Sequence, residues 1–143
     1  DAKIMPMPGV GPEAVELAVE GGAVRLVRRM PLRTKGGARI DGLPLPGDSG
    51  AGRMERIFGV DGRPAGTSDL GADAEAIAAM PDGGFFVAEE YGPSLLKVDT
   101  NGVVSERWVA PGHGVPEHGD VRARRVLPAE LKASFSVTLP VPK

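Results

Sequence analysis

Four carboxylates, Asp73, Glu75, Glu89 and Glu90, stand on either side of the turn Pro81-Asp82-Gly83-Gly84. A two-residue loop at Asp82-Gly83 is the favoured closure of a hairpin. It would set Met80 opposite Phe85, Ile77 opposite Ala88, and Glu75 opposite Glu90. Directly opposed residues of an antiparallel pair have Cβ atoms about 4.5–5.5 Å apart. Two carboxylates at that distance repel unless one is protonated or a cation lies between them. Hard oxygen donors gathered in this way suit calcium or magnesium better than zinc. Asp73, Glu75 and Glu90 are therefore the expected ligands of a divalent cation, with calcium first in line, and Glu89 is near enough to support them. A cation held there would act as a Lewis acid on a phosphoryl or carboxyl-ester oxygen and acidify a water. Glu90 or Glu89 would then orient or deprotonate that water. The competing reading is that the same acids cap strands or pair with arginine or lysine from neighbouring segments.

These acids need rigid elements to hold them, and residues 69–109 supply the strongest local signal in the chain. Ala74–Met80, Phe85–Glu89, Leu95–Val98 and Val103–Val109 are short apolar runs. They are separated by Pro-Asp-Gly-Gly, Tyr-Gly-Pro and Asp-Thr-Asn-Gly, the turn chemistry of consecutive β-hairpins. A four-stranded antiparallel meander of this kind is one blade of a β-propeller.

The segment EAIAAMPDGGFFVAEEYGPSLLKVDTNG resembles the signature of the phytase-like proteins, the group with esterase-like activity of phytase. The likeness continues to Leu127-Pro128-Ala129-Glu130-Leu131, and takes in the weaker Met30-Pro31-Leu32-Arg33 and Gly42-Leu43-Pro44 upstream. In that pattern Glu75 matches the glutamate of a Glu-Gly motif, with Ala76 in place of the glycine. Glu89 and Glu90 match an acidic pair, with Glu89 where aspartate is usual. The resemblance implies metal-assisted hydrolysis of a phosphate ester or other ester, with a divalent cation near a central axis and a bacterial periplasmic or secreted location. Tyr91 becomes a candidate for contact with substrate, although tyrosine before Gly-Pro more often packs at a strand end. Two further classes stand beside the hydrolase: a non-catalytic propeller fragment that binds or assembles, and a lactonase-like propeller. An acidic motif that follows in the family is replaced by the alternating run SFSVTLPV at 134–141.

Size bears on the architecture. The chain has 143 residues, which is one domain by length. A propeller needs at least four blades of about 40 residues, so residues 1–143 are expected to be a single partial propeller of about three blades or fewer, a fragment or one part of an assembly, with a smaller fold of its own as the less favoured alternative. A second chain or another copy is expected to complete it. Glycine and proline make up close to a quarter of the residues, placed between apolar runs, and only six large aromatics are present. The composition is that of a turn-rich all-β protein with a lean core.

A net charge of −2 offers no field for nucleic acid or anionic membrane. The absence of cysteine removes disulfides and thiolate sites, and no apolar run approaches the ~20 residues of a membrane helix. No signal peptide stands before Asp1, as in a processed chain. Residues 1–12 read as an extended arm, and 34–56 and 110–125 as loops. Val15, Leu17 and Val19 alternate before Gly21-Gly22, with Val24 and Leu26 beyond, which reads as a hairpin. Ile57–Val60 reads as a short strand, and 127–132 as one helical turn opened by Pro128. Arg122-Ala123-Arg124-Arg125 reads as a solvated or partner-facing run. His113 and His118, with Glu117 and Asp120, match no zinc spacing. No serine lies in a G-x-S-x-G context, and Gly9-Val10-Gly11 lacks the third glycine of a dinucleotide loop.

Overall fold

A computed structural model describes residues 2–46, 56–111 and 121–125. The described residues form ten strands and no helix, so no helix is long and apolar enough to cross a membrane. The expected turn at 127–132, the strand at 134–141 and the two histidines lie outside the described residues.

The meander is present as four antiparallel strands: β6 (Ala74–Ala79), β7 (Phe85–Glu89), β8 (Ser94–Val98) and β9 (Val103–Val109). Its turns explain its register. Pro81 suits the second position of a type I turn, and the Asp82 carboxylate accepts a hydrogen bond from Gly84 N at 3.0 Å. Gly83 alone adopts positive φ, at 86°. Met80 N donates to Gly84 O at 2.8 Å, and Gly83 N to Met80 O at 3.0 Å. The loop is thus three residues long, 81–83, and not the two-residue closure expected from sequence. A type I′ turn would have needed positive φ at Asp82 as well, and among the described residues only glycines have it. The same device recurs before β9, where the Asp99 carboxylate accepts from Asn101 N and Val103 N and Gly102 has φ of 81°.

One face of the meander carries the larger core. Phe85, Val87, Leu96, Val98 and Val104 pack with Leu32, Ile40, Ala72 and Val121. On the other face Phe86 and Trp108 meet at 4.7 Å between ring centroids, tilted by 59°, within the range of favourable aromatic pairs.

Two strands join the meander where loops were expected. β4 (Arg33–Thr34) and β10 (Arg122–Arg125) both run parallel to β9, beside its beginning and its end. The basic run at 122–125 is therefore an edge strand. Arg124 lies 5.0 Å from the Trp108 ring centroid and reaches Glu106 at 3.7 Å. These contacts fix a strand that has no apolar alternation to announce it.

The hairpin of β2 (Glu13–Glu20) and β3 (Ala23–Pro31) forms as expected. It is closed by Gly21 and Gly22 with φ of 56° and 79°, the conformation a type I′ turn requires. Its two faces differ. Val15, Leu17, Val19, Val24 and Leu26 are each at least half exposed, and the register puts Leu17 opposite Leu26 and Val19 opposite Val24. The short strand expected at residue 57 is β5 (Arg56–Phe58), and it pairs in parallel with β1 (Ala2–Ile4). The expected extended arm thus contributes a strand. The β2–β3 sheet is antiparallel, the β1–β5 sheet parallel and the meander sheet mixed, and among the described residues none closes on itself.

Candidate functional site

The acids meet where β6 begins and β7 ends. Glu90 N donates to Asp73 O at 3.0 Å, so Glu90 lies opposite Asp73 and not opposite Glu75. The three-residue turn moves every pairing by one, which alone would bring Glu90 opposite Ala74, and a bulge in β6 moves it one residue further. Glu75 rejoins the group through a β-bulge. Ala74 pairs with Glu89 and Ala76 with Ala88, leaving Glu75 as the extra residue between them. Bulges re-aim side chains in this way. The outcome is a cluster in which one carboxylate oxygen from each of Asp73, Glu75 and Glu90 lies within 4.8 Å of the others. Asp73 is partly buried, and the two glutamates are exposed. Lys3 donates from Nζ to Asp73 Oδ2 at 2.7 Å.

The donor set fits a divalent cation. All three donors are hard carboxylate oxygens, from three side chains on two adjacent strand ends, and an ammonium already sits against one of them. Carboxylates crowded to this separation favour a cation among them.

Glu89, the other member of the acidic pair, is enclosed. Its side chain has no exposed surface, and Arg107, at 4% exposure, lies 3.9 Å away from Nη1 to Oε1. Ser94 Oγ donates to Glu89 Oε1 at 2.5 Å, and Gly92 N donates to the same oxygen at 3.2 Å. Burial pushes the Glu89 carboxyl above its ordinary range, against the opposing pull of Arg107, Ser94 and the Gly92 and Tyr91 amides. Arg107 is lowered by its own burial and raised by Glu89. Its Nη2 donates to Gly71 O at 3.0 Å, while Nη1 has no hydrogen-bond partner among the described residues.

This buried pair lies directly behind the acid cluster. Arg107 holds the carbonyl two residues before Asp73, and Glu89 is the chain neighbour of Glu90. Gly71 itself packs against the Leu43 backbone, where a Cβ would lie 1.8 Å from the carbonyl oxygen. Tyr91 is also buried, and its hydroxyl donates to Gly42 O at 3.2 Å, the geometry of a packing residue. Phe85, Val87 and Glu89 share one face of β7, and that spacing was the available signal for an inward Glu89. Arg107 gave none, since Trp108 beside it is the apolar residue a reader would bury.

The raised Glu89 carboxyl has a pH signature. The folded state holds this proton more tightly than the unfolded chain, so the associated stability is complete below the ordinary value of 4.5 and is lost as pH rises through the folded value. Urea midpoints measured from about pH 4 to about pH 7 are expected to fall in the parent relative to Glu89→Gln. Parallel profiles would show that Glu89 ionises normally.

A family model described as "Phytase-like: Esterase-like activity of phytase" matches residues 12–132. The chain belongs to this family. The match spans every site residue of the phytase-like chain except Lys3, and it covers the meander entire. No curated protein and no solved structure matched.

Proposed function

We propose that this phytase-like chain is part of a β-propeller hydrolase that cleaves a phosphate ester or another ester with the help of a divalent cation, calcium first. The observation that carries the reading is the convergence of Asp73, Glu75 and Glu90 at one end of the meander, in a chain of the phytase-like family. Asp73, Glu75 and Glu90 would hold the ion. When bound, it supplies Lewis acidity toward the ester oxygen and lowers the pKa of water. Glu90, which is exposed, would orient the attacking water and accept its proton. Glu89 supports Glu90 from the interior.

The exposed apolar face of the β2–β3 hairpin favours a partner. An isolated two-stranded hairpin is marginal in water, and a second copy covering Val15, Leu17 and Val19 would both stabilise it and extend the propeller. The family likeness favours a bacterial periplasmic or secreted setting. The second reading, a binding or assembly module, draws on the same hairpin face together with the pairing of Lys3 with Asp73.

The test is hydrolysis of an aryl phosphate, an aryl acetate and a lactone by the purified chain, with calcium, manganese or a chelator, alongside its native mass. Cation-dependent turnover of one substrate class supports the hydrolase and names its ester. Absence of turnover on all three, with melting unchanged by cations, leaves the assembly module.

A further inference from the structure

The position of Lys3 is set by backbone pairing. It lies in β1 opposite Ile57 of β5, and Ile57 is buried. Met5 N extends the ladder by donating to Phe58 O at 2.9 Å. The strand therefore delivers an ammonium to Asp73 from 70 residues away in sequence. Three carboxylates cluster here. An ammonium has three donors and no lone pair, so Lys3 can neutralise charge in the cluster but cannot ligate a metal ion. A divalent cation bound through Asp73 would meet the Lys3 charge at close range and would compete for the same carboxylate.

We infer that Lys3 is the tethered counter-ion of the acid cluster, displaced from Asp73 when a divalent cation binds, so that residue 3 sets the cation affinity of the site. The inference rests on the reading that Asp73, Glu75 and Glu90 hold a cation. Lys3 lies in β1, outside the residues 12–132 that match the family. Lys3 and Asp73 keep side-chain exposures of 43% and 21%. The coupling is therefore taken at a water-like dielectric, where a unit charge acts on a divalent ion about 5 Å away with an effect of roughly tenfold in affinity.

Calorimetric titration of calcium, and separately manganese, into the full chain tests this. Lys3→Met is expected to bind calcium roughly tenfold more tightly than the parent, and Lys3→Arg, which keeps the charge, to bind as the parent does. Without added cation, Lys3→Met should melt lower than the parent, and saturating calcium should remove the difference. Binding by the parent that is abolished in Glu90→Gln but equal or weaker in Lys3→Met overturns the counter-ion role and leaves the cation site standing. No binding heat in the parent or in Lys3→Met overturns the cation site, and the counter-ion role with it.

Discussion

Replacing Arg107 with methionine is expected to cost about 3–5 kcal/mol of stability, the range for removing one partner of a buried ion pair. The magnitude follows from what is left behind. Glu89 has no exposed side-chain surface, so its carboxylate cannot recover hydration. Two amides and the Ser94 hydroxyl remain on it, but no positive charge. Gly71 O also loses its bond from Nη2. The Glu89→Gln/Arg107→Met double variant should regain much of the loss, because replacing both members of a buried pair by neutral groups is often neutral or better. Urea denaturation of the three variants and the parent measures all of these terms. In Arg107→Met the fall in stability with rising pH should also steepen, since the opposing charge that holds the Glu89 carboxyl down has gone. A cost below about 1 kcal/mol would be that of a surface pair and would show that water reaches Glu89.

The ion pair also shows where sequence reading succeeds and where it stops. Asp-Gly and Asn-Gly turns punctuating apolar runs carried the four strands of the meander, because the local chemistry of those turns decides the chain's direction. The cluster of Asp73, Glu75 and Glu90 was legible too, but through a register that is off by one residue at the turn and by two at the cluster. Pro81 made the turn three residues long, and the bulge at Glu75 then restored the meeting of charges. The two local irregularities shift the register in the same direction, and neither has a strong signature in the letters. The strands β1, β4 and β10 were harder. Each pairs in parallel with a segment far away in sequence or across a long connection, and none has alternating apolar residues. β10 is held by Arg124 against Trp108 and Glu106, contacts that exist only once the meander has formed. The alternation of Phe85, Val87 and Glu89 carried a signal for an inward Glu89, but its partner Arg107, arriving from β9, had none.

Glu90→Gln is expected to abolish cation-dependent hydrolysis and to weaken calcium binding by more than the roughly 10–100-fold that loss of a mere supporting group costs. Glutamine keeps the shape of the side chain and one carbonyl oxygen, so the variant isolates charge. It removes one of three negative charges gathered within 4.8 Å, and with it the carboxylate proposed to take the proton from water. The same change relieves repulsion with Asp73 and Glu75, so the metal-free protein should melt at the parent's temperature or higher. Glu75→Gln should behave alike in binding and in metal-free melting, because the bulge that aims residue 75 is made by the backbone. Opposite signs for metal-free stability and cation affinity are what separate a functional acid cluster from a structural one. If both substitutions instead lower metal-free melting and leave the response to calcium intact, these carboxylates serve to hold the strand ends together, and the proposed hydrolysis would have to draw on other residues.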